Sequence, residues 1–194
     1  MKLHCLIQLL ISALILLGLI FNIRNSRLFN FYDHLLHHKL VKNRDGKIWK
    51  IITVLNEPKV IVVWDFLLAG LLFLFHHPWL AIWSLGTLAV TDAVGIFLKH
   101  SVKRKRPLSM RTYRDGYSFP SGHVLSATIM SLMLWQIFGH IMGIWLLITL
   151  IIAWGLVVVS RLNMRAHYPS DVLGATTLAL FCFTIAQQLL GSAF

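Results

Sequence analysis

The sequence predicts an all-α integral membrane protein, a bundle of six transmembrane helices with an interfacial amphipathic segment between helices 1 and 2. Three observations carry this prediction. Of 194 residues, 57% are hydrophobic and 13% charged, whereas a soluble domain carries roughly a quarter charged residues. The apolar residues fall in long runs rather than in amphipathic periods. The polar residues that matter chemically gather in short islands at the ends of those runs. No internal repeat, low-complexity tract or linker divides the chain, so residues 1–194 are read as a single domain.

A spanning helix needs about 20 predominantly apolar residues. Leu3 to Ile23 satisfies this without a formal charge. Its position after Met1-Lys2 resembles a signal peptide, but Asn22-Ile23-Arg24-Asn25 is a poor cleavage site, so a retained first helix is expected. The next segment, Asn25 to Pro58, has a different character. Leu28, Phe29, Tyr32, Leu35, Leu36 and Leu40 recur at helical spacing, with His34, His37, His38, Lys39 and Lys42 among them. That pattern suits a helix lying in the membrane interface with a solvated polar face. Asn43-Arg44-Asp45-Gly46 reads as a turn.

Val60 to Phe75 is the second span; it contains Asp65 and closes on His76-His77-Pro78. Trp79 to Leu98 is the third, carrying Asp92 and running into Lys99. From Gly116 to Ser160 there is no Asp, Glu, Lys or Arg, which leaves room for two more spans. The break is expected within Phe138-Gly139-His140-Ile141-Met142-Gly143, giving a fourth helix from about Ser121 and a fifth ending near Ser160. Val172 to Leu190 is the sixth.

The formal charge of +11 must then be read along the membrane axis, not as a signal for nucleic acid. Cys5 and Cys182 lie in separate apolar runs, without the spacing of a disulfide framework or zinc site. Both are expected to be small hydrophobes in lipid-facing helices.

Helix parity brings the polar islands together. The ends of spans three and five and the starts of spans four and six share one membrane face. The first island is Lys99-x6-Arg106-Pro107, two cations suited to phosphate oxygens. Lys103, Arg104, Lys105, Arg111 and Arg114 around it are read as ordinary membrane-flanking charges. The second island is Pro120-Ser121-Gly122-His123, where a fourth helix should begin with the proline in its first turn. Free N–H groups there favour an anion, Gly122 permits close approach, Ser121 adds a donor, and His123 is placed to protonate a departing oxygen. The third is Ser160-Arg161-x5-His167-x3-Asp171. Asp171 follows His167 by one helical turn, so its carboxylate can reach the imidazole Nδ1–H and leave Nε2 as the reactive lone pair. A plain helix-capping role for Asp171 is the competing reading.

Together the islands resemble the three signature motifs of the type 2 phosphatidic acid phosphatase family, the lipid phosphate phosphatases, in a bacterial membrane form. All eleven fixed motif positions are present between Lys99 and Asp171, the motif-bearing core. The resemblance implies that His167 attacks phosphorus to form a phosphohistidine, that Asp171 orients it, and that His123 protonates the leaving group. It assigns Lys99, Arg106, Ser121, Gly122 and Arg161 to the phosphoryl oxygens. It implies no metal and no cofactor, and no Asp/Glu cluster is present to hold one. The expected substrate comes from the bilayer: undecaprenyl diphosphate, phosphatidylglycerophosphate or phosphatidic acid.

The chain departs from the family at Leu162-Asn163-Met164-Arg165-Ala166, where an aromatic residue and a glycine are common. Local packing should differ there while the fixed residues stay intact. Asp65 and Asp92 are costly within spans; Asp92 shares a helical face with Lys99, so a pairing or a wet cavity is expected. Asn56-Glu57-Pro58 either covers the site or caps a helix. Orientation is contested. Seventeen of the eighteen Lys and Arg residues fall on the site's face, which by the positive-inside rule is cytoplasmic. The family resemblance places the site on the extracytoplasmic face, where a basic rim would serve anionic lipid headgroups. Two other functional classes make different demands on the sequence. A transporter or channel relaying ions through buried Asp and His predicts mid-span polar residues and repeated halves. An inactive lipid-binding homologue would not need His123, His167 and Asp171 intact.

Overall fold

Every regular element among the described residues is a helix. The computed structural model describes residues 3–40, 46–107 and 116–191. The helices are α1 (Leu3–Asn25), α2 (Arg27–Leu40), α3 (Lys47–Leu55), α4 (Pro58–Leu74), α5 (Pro78–Val102), α6 (Gly122–Asn163) and α7 (Pro169–Gly191). The turn expected at 43–46 falls outside the described residues except for Gly46, which starts α3. Lys2, Lys42, Arg111 and Arg114 also lie outside them.

Four helices, α1, α5, α6 and α7, are long and apolar enough to cross a membrane. The expected count of six differs from this in two places. The second expected span, α4, has 17 residues, about 26 Å of helix against a hydrocarbon core of about 30 Å. The fourth and fifth expected spans fall within the 42-residue α6, two helical limbs that meet at a kink at Gly143 (φ 58°, ψ −145°) and lie side by side, with Trp154 Nε1–H donating to Thr128 Oγ1 at 3.0 Å. A left-handed φ costs glycine little, so the break narrows to that residue.

Proline marks the helix starts. Pro58 and Pro78 each occupy the first turn of a helix, where the missing N–H had no partner to lose. Asn56 caps α3 and Glu57 stands at the N-cap of α4, so the Asn56-Glu57-Pro58 stretch is a helix junction. Pro120 corrects the expectation: α6 begins at Gly122 with Ser121 at its N-cap, and Pro120 precedes the helix.

α7 packs against α1, α2, α5 and α6, and α6 against α2, α3, α4, α5 and α7. α7 is the most deeply buried of the membrane-length helices. Half of its most apolar stretch is buried, against 11% of α1's. Its small residues Gly174, Ala175 and Ala179 let neighbouring helices approach, as lipid-embedded packing favours. Cys5 and Cys182 are both buried and free, so neither faces lipid as expected. Leu14, Phe66, Leu74, Phe97 and Trp145 all point outward, where a hydrocarbon solvent would solvate them.

α2 is turned the same way. Leu28, Phe31, Tyr32 and Leu36 are exposed, while Asp33 and His37 are buried. Of its polar residues, Asp33 and His37 pack inward, the His37 ring 5.5 Å from that of Tyr168, while His34, His38 and Lys39 are exposed.

Two glycines make a graded test of this packing. A Cβ on Gly174 would stand 2.3 Å from Cε2 of Phe119, whose side chain is fully buried, whereas one on Gly95 would meet the mobile end of Leu125 at 2.3 Å. Gly174→Ala should lower stability by about 1–3 kcal/mol through overpacking against a rigid ring. Gly95→Ala should cost less, because Leu125 can change rotamer. Thermal unfolding in detergent would reveal the order; equal effects would show that the ring is not held rigidly.

Candidate active site

Three separated stretches of chain converge where α5 ends, α6 begins and ends, and α7 begins. Lys99, in the last turn of α5, brings its Nζ to 3.7 Å from the place a Cβ would occupy on Gly122. That is an ordinary van der Waals distance, so the ammonium packs against the head of α6. Lys99 and Asp92 line one cavity of about 120 Å³ together with Gly122 and Ser126. Ser126 donates its hydroxyl to Asp92 at 2.9 Å, so Asp92 takes a hydroxyl partner as well as facing a cavity.

Beyond α5, Arg106 donates through Nη1 to the Ala166 carbonyl at 3.2 Å and lies 3.5 Å from Nε2 of His167. Its Nε donates to the Gly116 carbonyl at 3.3 Å. Arg161, in the last turn of α6 and 1% exposed, donates to Thr53 Oγ1 at 3.1 Å. Thr53 is thus a support from α3. Ser121 is fully buried; its N–H donates to the Asp171 carbonyl at 3.2 Å, and its Oγ has no hydrogen-bond partner among the described residues. A buried hydroxyl without a partner in the protein suits a site built to receive a polar ligand. His123, the second residue of α6, is half-buried.

His167 lies in the turn between α6 and α7 and is 1% exposed. Its Nδ1 stands 2.9 Å from the Ser118 carbonyl oxygen. A carbonyl can only accept, so Nδ1 carries the proton and Nε2 presents its lone pair beside Arg106. Burial, reinforced by the charges of Arg161 and Arg106 and opposed by Asp171, pulls the imidazole pKa down to about 4. The ring is neutral near pH 7, the state a nucleophile requires.

Asp171 does not make the hydrogen bond expected of it. Its Oδ2 is 3.6 Å from His167 Nδ1, beyond a hydrogen bond though within electrostatic reach. The cause is its place in the third position of α7. Oδ2 accepts the Tyr168 N–H at 2.8 Å, as in a capping box, and Oδ1 accepts Arg104 Nη1 at 2.8 Å. Asp171 therefore caps the helix and carries a buried charge beside His167, while Ser118 supplies the direct acceptor.

Arg104 is the main correction to the sequence-based expectation. It is not a flanking charge: its side chain is 8% exposed and bridges Asp171 and Asp33, with Nη2 at 2.7 Å from Asp33 Oδ2. It also donates to Ser170 Oγ at 2.6 Å and stacks 4.3 Å over the Tyr168 ring. Arginine rather than lysine, two residues before Arg106, is a faint signal for this role. Asp33 as the lone acid in the basic stretch 25–42 is another. Ser118 could not have been found, since its backbone carbonyl is what acts. Within the departing stretch, Arg165 adopts a left-handed φ of 50° and Met164 accepts the Thr53 hydroxyl at 3.1 Å, so local packing does take its own form. Among the described residues, no group of three or more His, Cys, Asp or Glu side chains is arranged to hold a metal ion. His34, His37 and His38 instead pack with each other and with Tyr168.

Comparison with known proteins bears on the family and the fold. A crystal structure described as the first transmembrane PAP2 type phosphatidylglycerolphosphate phosphatase from Bacillus subtilis superposes with a TM-score of 0.85. The alignment covers 95% of this chain and 96% of that one at 20% identity, a likeness of fold. Phosphatidylglycerophosphatase B of Haemophilus influenzae is 44% identical over 70 residues, which are 33% of this chain and 29% of that protein. The match to that relative thus spans less than a third of its length. Residues 80–192, more than half the chain and all three islands, match the PAP2 superfamily, and the chain belongs to it.

Proposed function

We propose that this protein is a membrane-embedded lipid phosphate phosphatase that works through a phosphohistidine on His167. One observation supports this most strongly: a buried neutral imidazole with Nδ1 held by the Ser118 carbonyl and Nε2 directed at the Arg106 guanidinium. In this mechanism Nε2 attacks phosphorus, a P–N bond forms, and the bond to the leaving oxygen breaks. His123 gives that oxygen its proton. Water then attacks the phosphohistidine, His123 takes the water proton, and breakage of the P–N bond releases inorganic phosphate and the free imidazole. Lys99, Arg106 and Arg161, with the Ser121 hydroxyl and the backbone at Gly122, neutralise the phosphoryl oxygens as charge builds. These cations supply the electrostatics that metal ions supply in many phosphoryl transferases.

Phosphatidylglycerophosphate is the first substrate to test, because both similar proteins are named for it. Undecaprenyl diphosphate and phosphatidic acid present the same terminal phosphate on a lipid. The fold suits six crossings if α6 is divided at Gly143 and the 17-residue α4 spans with local adjustment of the bilayer. α2 would then lie at the interface with its exposed apolar side in the acyl boundary. We place the site on the extracytoplasmic face, by family analogy and against the distribution of basic residues.

Purified protein should release phosphate from phosphatidylglycerophosphate in excess chelator, and His167→Ala should lower kcat by about ten-thousand-fold. Loss of activity with chelator, or survival of the substitution, would sink the mechanism. The neutral nucleophile is present above its pKa of about 4. Activity referenced to the ionised substrate should therefore persist at pH 5 and fall as the pH drops through about 4, as His167 gains a proton. An acid limb near 6.5 would show an unburied imidazole. For orientation, Lys103→Cys at the exposed end of α5 should react with a membrane-impermeant maleimide added to intact cells. Labelling only after lysis would put the site on the cytoplasmic face.

A further inference from the structure

α2 contributes one buried acid to the end of the bundle that holds His167. Asp33 is 7% exposed, and both of its oxygens are engaged. Oδ1 accepts the Ser170 N–H at 3.2 Å, at the first turn of α7, and Oδ2 accepts from the Ser170 hydroxyl and from Arg104. Arg104 reaches across to Asp171 and also donates through Nη2 to Asn30 Oδ1 at 3.2 Å. Its main chain adds a second connection. The Ser118 N–H donates to the Arg104 carbonyl at 2.8 Å, and the Ser118 carbonyl is what holds His167 Nδ1. One residue therefore controls both neighbours of the imidazole, Asp171 through its guanidinium and Ser118 through its backbone.

We propose that Arg104 and Asp33 are positioning residues for His167, a guanidinium–carboxylate pair through which α2 sets the placement and the electrostatic environment of the nucleophile. This rests on the function proposed above for His167. The planar guanidinium spans two carboxylates that would otherwise repel across the start of α7. It offsets the charge that Asp171 directs at the imidazole, and Asp33 in turn offsets part of the guanidinium. The groups facing His167 are Asp171 from α7, Arg161 from α6 and Arg106 from the segment after α5. From α2, His34 and His37 pack on Tyr168.

The two members of the pair should act with opposite sign. Arg104→Gln leaves Asp171 uncompensated, which favours imidazolium, so the acid limb of kcat/KM should move up by about one pH unit. Asp33→Asn leaves Arg104 uncompensated and should move the limb down. The double variant should fall between the two. Each single change should lower kcat by about ten- to a hundredfold with a smaller change in KM, since the reacting atom is displaced. Arg104→Lys keeps the charge but cannot span both carboxylates; it should lose kcat with the limb unmoved. It decides the matter if Arg104→Gln does not fold.

The His167 ring should also be titrated directly by NMR of the full chain with ¹⁵N-labelled histidine in detergent, assigned with His167→Ala. That readout needs no turnover. A wild type that releases no phosphate would overturn the proposed function, while opposite shifts of the His167 titration would still support the positioning pair. Shifts of the same sign, or wild-type kcat and titration in all three single variants, would overturn the pair.

Discussion

The Arg104 guanidinium lies between the carboxylates of Asp33 and Asp171, and the geometry of the polar end of the bundle follows from that bridge. It joins three elements distant in sequence: α2, the segment after α5, and the first turn of α7. Removing one partner from a buried pair of this kind commonly costs about 3–5 kcal/mol, because the remaining charge is left without compensation. Here the bridge also has a geometric consequence. With Oδ1 of Asp171 committed to Arg104 and Oδ2 to the Tyr168 N–H, the carboxylate is held back from His167. The imidazole turns to the Ser118 carbonyl, and its tautomer is set by the backbone.

The remainder of the bundle is organised by the solvent its composition implies. Apolar side chains cover the outside, and several polar side chains within the helices find partners inside the protein, whereas both carboxylate oxygens of buried Asp65 have no hydrogen-bond partner among the described residues. Ser84, Thr87, Thr91 and Thr128 are buried, and three of these hydroxyls return to carbonyls of their own helix. Trp83 bonds the Ala186 carbonyl at 2.8 Å and Trp154 the Thr128 hydroxyl at 3.0 Å. Such bonds between helices are worth about 0.6 kcal/mol each in a membrane protein, so packing of small residues along α7 carries most of the association. α2 exposes apolar Leu28, Phe31 and Tyr32 together with polar His34, His38 and Lys39. Its buried side holds Asp33 and His37, and burial lowers the pKa of His37, followed in effect by its neighbours His38 and His34.

Much of the site was legible because its residue types are few and their spacings short. His167 and Asp171 fall within one turn, and Ser121, Gly122 and His123 are consecutive, so local geometry alone brings each island close to its working form. The errors have a common origin. Arg104 is indistinguishable by composition from Lys103 and Lys105, yet only Arg104 has a fork that reaches two acids. His37 belongs to a stretch that reads as a solvated face, but its ring packs against Tyr168. Pro120 was expected inside α6, whereas the backbone of Ser121 is drawn to the Asp171 carbonyl and the helix begins after it.

By itself, the sequence determined the all-helical class, the apolar exterior, the positions of most helix starts and the three polar islands to which phosphate chemistry is assigned by proposal. These depend on run length, proline position and spacing within a turn, which are properties of neighbouring residues. The tertiary structure decided which acceptor holds His167, what Asp171 pairs with, and why Asp33 is buried. Those outcomes depend on contacts between residues 49 to 137 positions apart and, for Ser118, on a carbonyl that every residue possesses. No pattern along the chain distinguishes such a carbonyl until the fold has placed it.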